Sequence, residues 1–163
     1  MAEGSTPSSR ARRLGAFLVA CGLIGVVTGL VPFVIALARL AGLPVGGGRW
    51  DWLAHGMREL GLSAEWAALS SASGTFLGIL LVAAGIGWRS ARPWAPLVSL
   101  LYALDGLVVT GTDLAVFVVA ARPGPMRKAM IAAESLAFGL ALGVLLGLAV
   151  WWSRQRSTRH PSA

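Results

Sequence analysis

Four long apolar runs constrain this chain more than any other feature of its sequence. They cover residues 14–38, 66–88, 94–121 and 130–152, and the first two contain no charged residue. A helix needs about 20 mostly apolar residues to cross the hydrocarbon core of a bilayer. The runs therefore predict an all-α membrane protein, folded as an antiparallel bundle of four transmembrane helices.

Aromatic and basic residues mark the ends of these runs. None of the seven tryptophans lies in the middle of a run, which is the distribution expected for aromatic belts at the two membrane surfaces. In a soluble protein the net charge of +7 would favour nucleic acid as a partner. Here the Arg and Lys side chains flank apolar runs, where they meet lipid headgroups. We therefore predict a lipid bilayer as partner and no binding of nucleic acid.

The positions of the basic residues also predict domain organisation and orientation. Residues 1–13 and 154–163 are short, basic and polar, and we predict two disordered cytoplasmic tails around a four-span membrane domain over residues 14–153. With both termini in the cytoplasm, eight of the fourteen Arg and Lys residues lie inside and six outside. The preference for Arg, thirteen residues against one Lys, favours a bacterial inner membrane. A cleaved signal peptide is the alternative for the first run, but a signal core has only about 7–15 apolar residues.

The one long connection, residues 42–65, follows the first run on the predicted outer side. Apolar residues recur in it at helical spacing, at Trp50, Leu53, Met57 and Leu60. This pattern predicts a short amphipathic helix that lies on the outer membrane surface or caps the bundle. Asp51, His55 and Glu59 stand four residues apart and could face one metal ion, but a solvated helix face explains them better. We therefore predict no metal site.

Small residues recur every four positions in three of the runs. Such repeats let helix backbones approach each other closely within a membrane. Packing inside the bundle is the first explanation, and homodimerisation through the last three glycines is the alternative. The predicted packing residues are Gly25, Gly29, Gly74, Gly78, Gly139, Gly143 and Gly147.

Three acidic residues lie within the apolar runs. Asp105 and Asp113 share one helical face, and Glu134 lies in the last run at a similar outer depth to Asp113. A charge facing lipid would cost about 2.5–3.5 kcal/mol, so we expect these acids to face a polar pocket in the outer half of the bundle. The predicted ligand- or proton-binding residues are Asp105, Asp113, Glu134, Tyr102, Thr28, Ser70, Ser71 and Ser73.

A purely structural explanation of two of these acids stays open at this stage. Glu134 would suit the positive end of the last helix dipole, or would pair with Arg127 or Lys128. Asp113 would pair with Arg39 or Arg122 reaching in from the membrane surface. In either case the acids would stabilise the fold and bind no ligand.

The sequence contains no recognisable catalytic set. Cys21 is the only cysteine, so neither an internal disulfide nor a cysteine metal cluster can form. There is no HExxH, Gly-x-Ser-x-Gly or Walker sequence. We predict a protein without cofactor or enzymatic activity, a ligand-binding module or one that assembles with a second copy or a larger membrane partner. A proton- or cation-coupled transporter using Asp105, Asp113 and Glu134 is the alternative, and an intramembrane enzyme is a third class.

Overall fold

The computed structural model describes residues 9–44, 55 and 58–159, the last five of them by their backbone alone. These residues form four helices: α1 (Ser9–Leu40), α2 (Ala64–Arg89), α3 (Ala95–Val119) and α4 (Pro125–Arg159). Each helix is long and apolar enough to cross a membrane. The prediction of an all-α bundle of four long apolar helices, each a candidate membrane span, is therefore confirmed.

The ends of the helices differ from the sequence-based boundaries at both termini. Helix α1 begins at Ser9 and α4 continues to Arg159, so both extend into segments that the sequence assigned to the tails. The amphipathic helix predicted between α1 and α2 falls largely on residues outside the described part of the chain. Leu60, the last residue of its apolar stripe, lies in a turn and is buried.

Local sequence explains where α2, α3 and α4 begin. The Ser63 hydroxyl accepts a 3.2 Å hydrogen bond from the Trp66 backbone amide and thereby caps α2. Proline is tolerated in the first helical turn because its missing N–H has no partner there. Pro96 lies in the first turn of α3, and Pro125 is the first residue of α4.

The packing of the helices follows their order in the chain. The extensive contacts are those between α1 and α2, α2 and α3, and α3 and α4. All four helices nevertheless contribute to one buried cluster, which consists of Leu18, Leu77, Leu81, Tyr102 and Ala141. A second cluster, made by Leu60, Phe117 and Ala121, closes the bundle at the end that carries the α1–α2 and α3–α4 connections. We call this the loop end, and the opposite end, which carries both chain termini, the termini end.

Glycines allow α1 and α2 to approach almost backbone to backbone. A Cβ atom on Gly22 would lie 2.7 Å from the Gly78 carbonyl oxygen, and one on Gly15 would lie 2.5 Å from the Gly85 carbonyl oxygen. A Cβ atom on Gly29 would likewise lie 2.7 Å from the Thr75 backbone nitrogen. The close contacts on α1 therefore recur every seven residues, not every four.

The glycines that the sequence singled out for packing fall into two groups. Gly25, Gly29 and Gly78 lie in the close α1–α2 contact. The other four have open space around an added Cβ atom, namely Gly74, Gly139, Gly143 and Gly147. A four-residue spacing identifies one helix face but does not reveal which face meets another helix, and Gly15, Gly22 and Gly85 were missed for that reason.

Candidate functional site

The centre of the candidate site is a hydrogen bond between α2 and α3. The Ser70 hydroxyl donates to Asp113 Oδ2 over 2.6 Å. Ser70 lies in the second turn of α2 and Asp113 in the last two turns of α3, so both are near the loop end of the bundle. Asp113 is only 5% exposed. A carboxyl group buried to this extent needs such a partner, because nothing in a bilayer core replaces water.

Helical register explains why Asp113 is buried and Asp105 less so. The buried residues of α3 include Tyr102, Gly106 and Thr110. Successive residues of a helix are rotated by about 100° around its axis. Around the α3 axis, the centre of the buried face lies about 100° from Asp105 but only about 20° from Asp113. Asp105 consequently lies at the edge of the interface and is half-buried. Within the described residues it takes part in no hydrogen bond or ion pair.

Glu134 lies on α4, in the half of that helix that is nearer the loop end. It is half-buried and within electrostatic range of Asp113. Glu134 is nine residues past Pro125, the first residue of α4. Because the effect of a helix dipole fades within the first turn, the dipole does not account for an acid at this position.

Basic partners were the other structural explanation for the two acids. Arg127 instead caps the C-terminal end of α3, where its Nε donates to the Phe117 carbonyl over 2.8 Å and its Nη2 to the Val118 carbonyl. In the part of the chain that the structure describes, no Arg or Lys side chain lies within 4.0 Å of the carboxylate of Asp113 or Glu134. Among the described residues, two acids thus lie within electrostatic range of each other and have no basic side chain within 4.0 Å.

The remaining polar candidates do not join this cluster. The Thr28 hydroxyl is exposed and donates to the Ile24 carbonyl of its own helix over 2.9 Å. Ser71 offers its backbone carbonyl to the Thr75 hydroxyl. Ser73 has no hydrogen bond in the described part of the structure, and Tyr102 packs into the buried cluster shared by all four helices. A hydroxyl in a helix commonly donates to a backbone carbonyl of the preceding turn, so these hydrogen bonds do not indicate a ligand.

Two tryptophans on α2 differ in the hydrogen bonding of their indole N–H groups. Trp66 lies one turn before Ser70 on α2, and its indole Nε1 is buried without a hydrogen-bond partner among the described residues. Trp88, at the other end of α2, donates from Nε1 to the Ser99 hydroxyl over 2.9 Å. The sequence placed both tryptophans at helix ends, but it gave no signal that distinguished the bonded indole from the unbonded one.

A cavity of about 640 Å³ opens at the termini end, between the first half of α1 and the second half of α4. Leu14, Phe17, Leu148 and Trp151 are among its lining residues. The polar pocket predicted from the sequence was placed in the opposite half of the bundle, around the acids. The cavity therefore has a different location and a different chemistry from the one that the sequence suggested.

No metal-binding group is found in the described residues. Among these residues no three His, Cys, Asp or Glu side chains come together in a way that could hold a metal ion. His55 Nε2 lies 3.3 Å from Glu59 Oε1, but both side chains are well exposed. Asp51, the third residue of that sequence pattern, lies outside the described part of the chain.

The fold and the site define the class of this molecule as a multi-pass membrane protein with four candidate transmembrane helices. No protein-family model, no curated protein and no solved structure matches the chain. Any functional conclusion consequently rests on its own residues.

Proposed function

We propose that this protein is a non-catalytic membrane module that binds the cationic headgroup of an amphipathic ligand at Asp113 and Glu134. The observation that carries the proposal is the burial of Asp113, which is 5% exposed and has no basic side chain within 4.0 Å among the described residues. Glu134 of α4, half-buried and within electrostatic range, is the second acid. Ser70 holds the Asp113 carboxylate in position from α2. Three helices thus contribute to one acidic site.

The physical argument is the cost of a charge within the membrane. Each ionised carboxylate costs about 2.5–3.5 kcal/mol even on the lenient insertion scale. Two carboxylates within electrostatic range of each other add repulsion to that cost. A bound cation would offset both terms, and an apolar tail attached to it would remain in the lipid. A cationic amphiphile therefore suits the site better than a small soluble ion.

The proposal can be tested with two ligands that differ only in charge. Dodecylammonium and dodecanol have the same chain, and binding of each to the purified protein in nanodiscs is measured by calorimetry. We expect saturable binding of the ammonium and none of the alcohol. The ammonium should bind at least tenfold more weakly to Asp113→Asn and to Glu134→Gln, since each loses one charge contact.

Two further variants serve as controls for this experiment. Glu65→Gln removes an exposed acid from the first turn of α2, outside the site, and should bind the ammonium like the wild type. Asp105→Asn tests whether the third acid takes part, and we expect a smaller loss because Asp105 lies at the edge of the α3 interface. Equal binding of the alcohol and the ammonium would refute the proposal.

A second candidate function is proton- or cation-coupled transport by Asp113 and Glu134, with Asp105 deeper in the span. It is favoured by the position of Glu134 on α4, a helix that packs mainly against α3 and is otherwise weakly held. Movement of α4 would change the distance between the two acids. Proteoliposomes loaded with dodecyltrimethylammonium, whose permanent charge prevents it from crossing as a neutral amine, distinguish the two functions. A transporter would drive its release when an opposing proton gradient is applied, whereas a binding module would not.

The orientation that we propose places the loop end outside and both termini in the cytoplasm. The distribution of basic residues, eight to six, supports this orientation. Single cysteines at Ser63 and Ser90, in a Cys21→Ala background, test it in intact cells. A membrane-impermeant maleimide should label Ser63→Cys directly and Ser90→Cys only after the membrane is permeabilised. The reverse labelling pattern would show that the loop end faces the cytoplasm.

A further inference from the structure

The cavity at the termini end is a groove whose walls are two helices that barely touch. Leu14 and Phe17 of α1 form one wall, and the glycines of α4 form the other. An added Cβ atom on Gly143 or Gly147 would meet nothing within 4 Å, so α4 leaves this space open. The volume of about 640 Å³ lies in the range of about 300–1,000 Å³ that is typical of small-molecule sites.

The length of the groove matches one leaflet of a bilayer. Its lining on α4 extends from Gly139 to Trp151, which at about 1.5 Å per residue is about 18 Å. Half of a hydrocarbon core of about 30 Å is about 15 Å. The groove thus begins near the membrane surface and ends near the middle of the bilayer, as a single acyl chain does.

Charge is found at only one end of the groove lining. Arg10 lines the mouth from α1 and its side chain is exposed. Arg154 lies three residues beyond Trp151 on α4, about 20° from Gly143 in helical register, and is exposed as well. The residues toward the bilayer centre are apolar, including Leu18, Leu140 and Val144. A cationic mouth above an apolar slot is complementary to a lipid with an anionic headgroup.

We propose that the groove between α1 and α4 binds one anionic phospholipid, with an acyl chain along Gly143 and Gly147 and the phosphate at Arg10 and Arg154. The site is separate from the acids at the loop end and does not depend on their function. Basic pockets between transmembrane helices bind anionic headgroups by the same electrostatics. A second copy of the chain is a poorer fit, because two facing copies would bring the Arg10 and Arg154 side chains of both together.

Competition between two phospholipids with identical acyl chains tests the proposal. The full chain is purified from vesicles that contain equal amounts of phosphatidylglycerol and phosphatidylcholine, and the lipid retained per chain is counted by native mass spectrometry. We expect one phosphatidylglycerol per chain in preference to phosphatidylcholine. Arg10→Gln should reduce this preference about fivefold, the factor that one basic residue contributes near an anionic surface.

Matched variants separate the groove from general effects of charge and bulk. Arg12→Gln removes an exposed charge about 160° around the same helix from Leu14 and should leave the preference unchanged. Gly143→Leu fills the groove and should abolish retention of either lipid. Ala149→Leu adds the same kind of bulk on the outer face of α4 and should have no effect. Far-ultraviolet circular dichroism shows whether a variant that loses lipid retention is still folded. Arg10→Lys keeps the positive charge and should retain the preference for phosphatidylglycerol.

Two results would overturn the proposal. One is equal retention of both phospholipids, unaffected by Arg10→Gln. The other is a dimeric mass without bound lipid that reverts to a monomer in Gly143→Leu, which would identify a second copy of the chain as the occupant of the groove.

Discussion

Ser70 and Asp113 are 43 residues apart in the chain, yet the hydroxyl of the first donates a 2.6 Å hydrogen bond to the carboxylate of the second. The bond joins α2 to α3 near the loop end, and Glu134 lies in the half of α4 nearer the same end. It is therefore a structural contact and a positioning contact for the proposed cation site.

Loss of this bond should destabilise the bundle measurably. Ser70→Ala removes the donor and leaves the buried carboxylate unsatisfied, and we expect a loss of about 1 kcal/mol in the free energy of unfolding, within the range of hydrogen bonds between membrane helices. Reversible unfolding in mixed detergent micelles measures the change. The control is Ser73→Ala, which loses no hydrogen bond of the described structure and should change stability by less than about 0.5 kcal/mol. Equal effects of the two substitutions would contradict this role of Ser70.

The close contact between α1 and α2 predicts very different effects of the same substitution at two glycines. Gly22→Ala places a Cβ atom 2.7 Å from the Gly78 carbonyl oxygen, so the helices must separate, at a cost of about 1–3 kcal/mol. Gly74→Ala meets nothing within 4 Å and should be neutral or stabilising, by up to about 1 kcal/mol, because Ala favours a helix. Thermal denaturation in detergent measures both. A neutral Gly22→Ala would show that the helices do not pack at this distance.

Arg127 caps two carbonyl groups at the C-terminal end of α3. Arg127→Gln removes two charge-assisted bonds to the carbonyls of Phe117 and Val118, which have no partner within their own helix. We expect a loss of about 1–2 kcal/mol and faster hydrogen exchange in the turn after α3. Lys128→Gln removes the same charge one residue later, from an exposed side chain, and should change neither quantity. If both variants behaved alike, the effect would be one of overall charge and not of capping.

Two tryptophans on α2 differ in the contacts of their indole rings. Trp88→Phe loses the 2.9 Å bond to the Ser99 hydroxyl, whereas Trp66→Phe removes a buried N–H that has no partner in the described structure. Trp88→Phe also weakens the edge-to-face contact with the Trp151 ring, whose centroid is 5.7 Å away. Trp88→Phe should therefore be the more destabilising by about 1–2 kcal/mol. Unfolding monitored by circular dichroism gives the comparison without relying on tryptophan fluorescence. A more destabilising Trp66→Phe would mean that its indole is bonded in solution.

The sequence by itself determined the class of fold. Four runs of apolar residues can satisfy their backbone in a bilayer only as helices, so the number of spans, their approximate positions and their antiparallel order follow from composition and length. The sequence also predicts a similar depth for Asp113 and Glu134, since predicted depth depends only on the rise per residue and the position along the run.

Only the tertiary structure decided which faces meet. Rotation of each helix about its axis is set by side-chain packing between helices, which a hydropathy pattern scarcely records when nearly every residue is apolar. That rotation buries Asp113 beside Ser70, leaves Asp105 at the edge, and selects Gly15, Gly22 and Gly29 for the close contact. It also turns Gly139, Gly143 and Gly147 toward an open groove, because α4 packs against α3 and reaches α1 only weakly.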